Sequence, residues 1–190
     1  MLLSYLLERK AFHKKVFKGI LYLLLNVAII MFAYIIMLVV ILASCQTTVL
    51  KGVKKDLNTG MVTAYTQLEP SQTLIRMNNE TLNHTDIPLG EKFEIINENI
   101  NGFHLKDGKA RVGCSLTITD ERDSVLLRAE DLFSGNDEYD LAKANTLRCT
   151  VTTGEPMKWE ENYNVVVVFW DKQGDGRIEN KVKIRMIDIP

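Results

Sequence analysis

Residues 110–119 read Ala-Arg-Val-Gly-Cys-Ser-Leu-Thr-Ile-Thr. Ala110, Val112, Cys114, Leu116 and Ile118 are apolar, and they alternate with Arg111, Gly113, Ser115, Thr117 and Thr119. Successive side chains of an extended strand point to opposite faces, so this pattern predicts a strand with one buried face. The pattern recurs on both sides. Asp120 to Asp123 reads as a turn and Val125 to Ala129 as the return strand. Phe93 and Ile95 mark a strand upstream, and Leu147, Cys149 and Val151 alternate downstream. Tyr163 to Trp170 is a valine-rich run suited to a central strand. Gly174-Asp175-Gly176 is a hairpin turn signal, and Val182, Ile184 and Met186 alternate in the strand that follows. Only Glu138 to Ala144 has helical character, and it is short. Short strands at this spacing predict an all-β chain, with residues 91–190 forming an antiparallel β-sandwich.

Upstream of 91 the composition changes. Residues 46–90 read as a tether and loop-rich segment, polar around Lys51, Lys54, Lys55 and Asp56, with Asn58-Thr59-Gly60, Pro70, Pro88 and Gly90 as breakers. Residues 1–45 differ from both. Of the 23 basic and 24 acidic residues of this 190-residue chain, five basic ones and Glu8 lie in residues 1–44. The 18 basic and 23 acidic residues that remain make the rest mildly acidic, which leaves no basic footprint for nucleic acid. From Ile20 to Ser44 the chain is almost wholly apolar, with Asn26 the one strongly polar side chain before Ser44. A helix of that length spans a hydrocarbon core of about 30 Å. Arg9, Lys10, Lys14, Lys15 and Lys18 all precede it, so the positive-inside rule keeps the N-terminus in the cytoplasm and sends the remainder across.

Leu42-Ala43-Ser44-Cys45 closes the apolar run and resembles the lipobox of bacterial lipoproteins. Small side chains at Ala43 and Ser44 suit a peptidase that grips the backbone, and the Cys45 thiol is the nucleophile that takes a diacylglyceryl thioether. The resemblance implies cleavage before Cys45, acylation of its new amine, and anchoring to membrane lipid by diacylglycerol and a further chain such as palmitate. Each buried CH₂ contributes about 0.8 kcal/mol to such an anchor. Gln46 stands where many diderm bacteria place an inner-membrane retention aspartate, which implies the outer membrane rather than the inner. The alternative is an uncleaved single-pass signal anchor, because the apolar run exceeds the roughly 7–15 residues of a cleaved signal. Both readings place the domain in the cell envelope on the periplasmic, extracytoplasmic side.

Met157 lies six residues before Tyr163. That spacing is similar to the leucine-to-tyrosine spacing at the tyrosine corner of fibronectin type III and related immunoglobulin-like domains. The resemblance covers about 157–187 and implies an immunoglobulin-like sandwich, although Trp159 and Glu161 stand where the family has proline and threonine. It carries a fold, not a function.

Few residues point to chemistry. Cys114 and Cys149 both occupy apolar phases. An oxidising compartment permits a disulfide between them, and two buried thiols are the alternative. Asp171, Asp175, Gly176 and Ile178 fall at the first, fifth, sixth and eighth positions of a calcium loop. The twelfth is Val182 rather than a bidentate glutamate, so Asp171 and Asp175 are weak metal candidates and an ordinary hairpin accounts for them. His84 and His104 have no metal-site spacing. No cofactor motif and no G-x-S-x-G, H-E-x-x-H or phosphate-binding glycine loop is present. Asp123-Ser124-Val125 resembles a bacterial O-glycosylation motif. Asn79-Glu-Thr81 and Asn83-His-Thr85 are formal N-glycosylation sequons, of little meaning in a bacterium. Trp170 ends a core strand and reads as packing, whereas Trp159 lies in a polar segment and is the candidate for an exposed binding contact. The expectation is a lipid-anchored envelope protein whose sandwich is a non-enzymatic binding or scaffold module for an envelope protein or glycan. The alternative is an extracytoplasmic hydrolase with a site built from dispersed carboxylates.

Overall fold

The computed structural model describes Asn26, Ile30–Phe32, Tyr34 and residues 51–188. The chain divides into two units, Met1–Thr48 and Val49–Pro190. In the first, the described residues are helical and exposed. The lipobox, Leu42 to Cys45, lies outside the described residues. Among the described residues no helix is long and apolar enough to cross a membrane.

The second unit is an all-β sandwich. Its elements are β1 (Gly52–Lys55), β2 (Val62–Tyr65), β3 (Gln72–Met77), β4 (Glu80–Thr81), β5 (Asp86–Pro88), β6 (Lys92–Glu98), β7 (Lys109–Asp120), β8 (Val125–Ala129), β9 (Glu138–Asp140), a helical turn α1 (Leu141–Ala144), β10 (Leu147–Thr152), β11 (Asn162–Asp171) and β12 (Arg177–Ile187). One sheet runs β1-β2-β12-β11-β7-β8, and the other runs β10-β6-β3-β4. Neighbours are antiparallel throughout, except that β5 lies parallel to the far end of β12. β9 pairs with the first residues of β7.

The alternation of residues 110–118 becomes the buried face of β7. β11 pairs with β7 on one side and β12 on the other, so Val165, Val167 and Phe169 lie between Leu116, Ile118 and Cys114 and the inward residues of β12, Val182 and Ile178. The second sheet closes over them with Ile75, Phe93, Ile95, Leu147, Cys149 and Val151, all buried in one continuous core. Gly113 occupies the outward phase of β7. A Cβ there would collide with the indole of Trp170, its partner on β11, so glycine lets the ring lie flat on the sheet.

The folded unit starts earlier than the expected boundary at 91. Residues 51–90, the described part of the expected tether and loop-rich segment 46–90, are part of the fold. They supply five strands, and Met61, Leu68, Ile75 and Ile87 are fully buried in the common core. These strands have two to six residues, too short to display alternation clearly. Their turn chemistry was visible without its strands. Asn78 and Asn79 both take positive φ, 51° and 66°, as a two-residue hairpin turn between β3 and β4 requires. Leu68 packs on Gly176 in the β11–β12 turn, where a Cβ would sit 2.6 Å from Leu68 Cγ.

Candidate functional site

At one end of the sandwich the connector between β10 and β11 meets the turn between β7 and β8. Tyr163 opens β11 with its ring buried, and a buried phenol needs partners for its hydroxyl. The hydroxyl accepts from the Lys158 amide at 2.8 Å and donates to Glu161 Oε2 at 3.0 Å. The next residues are tied to β12: Glu160 N donates to the Met186 carbonyl at 2.7 Å, and Met186 N donates to the Glu161 carbonyl at 2.9 Å. Glu160 itself has a positive φ of 61°. Residues 158, 160 and 161 are thus held by the core. Trp159 between them projects outward, 58% exposed.

At the same end, lined from Glu160 onward along the chain, is an open depression of about 320 Å³ between Asp120, Glu121, Arg122, Glu160, Glu161 and Asn162. Four of the six are acidic. Asp120 Oδ1 accepts the Arg122 and Ser124 amides at 2.8 and 2.9 Å, and the Ser124 amide above all holds its carboxyl below the usual range. Lys183 does the same for Glu121 across a 2.6 Å ion pair, helped by Asn162. A general acid working near neutral pH needs a carboxyl held above its ordinary value. Asp120 and Glu121 are held in the opposite direction, so neither suits that one role.

Of the candidate binding, metal-ligating and cysteine residues, Trp159 belongs to this end, as does the Asp123-Ser124-Val125 motif of the β7–β8 turn. Cys45 lies outside the described residues. Cys114 and Cys149 are buried free thiols on opposite sheets. Asp171 is a brace for the last hairpin: its carboxylate accepts the His104 amide at 2.6 Å and the Gln173 amide at 2.9 Å. Asp175 is exposed in the same turn. Among the described residues no three His, Cys, Asp or Glu side chains converge as metal ligands would. Glu160-Glu161 and the Asp120-Glu121 turn are each visible as acidic doublets. Their convergence is not, since Glu121 and Asn162 meet across 41 positions of chain.

A second polar cluster also escaped the sequence. The loop after β8 runs along β7, where Asp131 Oδ1 accepts the Cys114 amide at 3.2 Å and the Phe133 amide at 3.0 Å. Lys172 Nζ bridges Asp131 at 2.6 Å and Asp137 at 2.9 Å, and Arg111 adds a second cation to Asp137 at 2.9 Å. Burial opposes the charge on Asp131, but Lys172 and the two amides outweigh it and keep the carboxyl low. Lys172 likewise keeps Asp137 low. These charges are mutually satisfied and hold the loop in place. The chain matches no known protein family and no curated protein.

Proposed function

We propose that the chain is a lipid-anchored lipoprotein of the bacterial envelope whose immunoglobulin-like sandwich is a non-enzymatic binding module. In this reading acylated Cys45 holds it to the membrane, and Trp159 with the acidic depression receives an envelope partner that presents cationic groups. The observation that carries the binding role is the exposed Trp159 fixed between core-anchored residues. A large rigid side chain that needs no ordering on binding suits a contact anchor. Two features support the immunoglobulin-like reading: β8-β7-β11-β12 faces β10-β6-β3, and the Tyr163 hydroxyl accepts from the chain just upstream. The hydrolase alternative draws on the same four carboxylates, and the lowered pKa values of Asp120 and Glu121 count against those two as its general acid.

Photo-crosslinking in cells tests this reading. A benzophenone side chain at position 159 should give discrete adducts in the envelope fraction, and the same group at Thr150, exposed on the other sheet, should not. Equal labelling from both positions would remove the case for a site at Trp159. Mass spectrometry of the mature N-terminus should find acylated Cys45, and Cys45→Ser should abolish processing. An intact Met1 with unmodified Cys45 would leave the signal-anchor alternative standing instead.

A further inference from the structure

Each sheet carries one fully buried asparagine in the apolar phase of a strand. Asn180 on β12 lies between Ile178 and Val182 of the same phase, and Asn97 on β6 follows Phe93 and Ile95; both amides are 0% exposed. A threonine on the adjacent short strand serves each one. Thr63 of β2 stands directly opposite Asn180 and donates to its Oδ1 at 3.0 Å. Thr73 of β3 stands directly opposite Asn97 and donates to its Oδ1 at 2.9 Å. Neither Nδ2 has a hydrogen-bond partner among the described residues. Turning an amide over would satisfy Nδ2 and leave Oδ1 without a partner, so the shortfall belongs to the site. A buried polar pair that is only partly satisfied costs stability that apolar residues of the same shape would restore. Stability therefore does not account for these pairs.

Strand register does. β2 meets β12 over four residue pairs, from Tyr65–Ile178 to Val62–Lys181, and β1 is joined to the sheet through β2. A slip of one residue would turn buried Thr63 and Tyr65 outward. A slip of two keeps Met61, Thr63 and Tyr65 facing inward, so apolar patterning does not oppose it. It would set Asn180 against Tyr65 or Met61, and Thr63 against Val182 or Ile178. The amide would then lose the one partner it has. At the end of β2, Thr66 ties the chain to the β11–β12 turn: its hydroxyl donates to the Asp175 carbonyl at 3.0 Å and accepts from the Arg177 amide at 2.9 Å. We propose that Thr63–Asn180 is a register lock, a polar pair kept in the core so that the β1–β2 hairpin joins β12 in one alignment. Thr73–Asn97 is the same device for β3 on β6.

Cysteine cross-linking of the full chain in detergent reads the register. Directly opposed residues have Cα atoms within about 5.5 Å, inside the range of a disulfide, whereas diagonal neighbours are roughly 7–8 Å apart. Ala64 is directly opposite Glu179. Ala64→Cys is combined with Glu179→Cys, with Arg177→Cys or with Lys181→Cys, and peptide mapping identifies the bonds. The first combination closes in the native alignment, and the other two close only after a slip of two. With the core pair intact, the product joining positions 64 and 179 is expected alone. Adding Thr63→Val and Asn180→Leu should raise the slipped products by about tenfold or more, while the melting temperature of the chain carrying only those two changes stays level or rises. Thr66→Val, which cuts the tie to the turn and keeps the core pair, should give the native product alone. Absence of slipped products in the Thr63→Val, Asn180→Leu chain would overturn the proposal. A lowered melting temperature or failure to fold would overturn it as well, by making the pair a support rather than a selector. Slipped products from Thr66→Val as abundant as those from the apolar pair would do the same, by placing control of register at the turn.

Discussion

Tyr163 carries two duties on one side chain. Its ring fills the core, and its hydroxyl fixes the segment that presents Trp159. Tyr163→Phe keeps the first and removes the second, leaving the Lys158 amide without its acceptor. The expected cost is about 1 kcal/mol, read as a lower urea midpoint with an unchanged slope. Binding through Trp159 should weaken as well, since its backbone support has loosened. The Met157 to Tyr163 spacing made this residue legible in the sequence, because the device is local and its parts lie within a few positions. Trp159 was legible as an aromatic in a polar run. Gly113 was legible only as one of the outward positions of a strand. Its purpose, room for Trp170, belongs to a partner strand that the sequence does not show beside it.

At the scale of elements, β11 holds the larger sheet together, paired along its length with both β7 and β12. Phe169 is fully buried at its inward end, with Phe133 6.1 Å away between ring centres. Truncation opens a cavity that rigid strands on either side cannot fill. Phe169→Ala is expected to lower stability by about 3–5 kcal/mol in a calorimetric scan. Strands β6 to β8 and β10 to β12 were legible from alternation or an apolar run, whereas Glu138–Asp140, read as the start of a helix, is strand β9, and only Leu141–Ala144 of that stretch is helical. Strands β1 to β5 were not legible, because each is brief and owes its place to distant partners. Thr63 on β2, for instance, donates to the buried Asn180 of β12 across 117 positions. The acidic depression escaped for the same reason: each half is an ordinary turn until the fold joins them.

The molecule as a whole carries several carboxylates stabilised by their neighbours, among them Asp120, Glu121, Asp131 and Asp137. Each has a folded pKa below its unfolded value of about 4, so the native state binds fewer protons than the unfolded chain in that range. Their contribution is present above pH about 4 and is lost as pH falls through the lower folded values. Lys172 runs the other way. Its burial is outweighed by Asp131 and Asp137, its pKa is raised, and its share is lost only in strong alkali. The melting temperature should therefore stay level from neutral pH to about 5 and fall below about 4. Lys172→Met should shrink that acid-induced fall, because Asp131 and Asp137 then lose the cation that lowers them. An unchanged acid slope in the variant would show that other groups govern it.

β12 occupies the inside of the larger sheet, with β11 on one side and β2 and β5 on the other. It is also the last of the described strands to leave the ribosome. Until it arrives, β2 and β5 have no strand to join them to β11, and the inward faces of the larger sheet have a gap at their middle. The core therefore cannot close progressively from the first strand onwards. The larger sheet stays open until β12 joins its two parts. Until β12 joins them, the unpaired strands are exposed to aggregation.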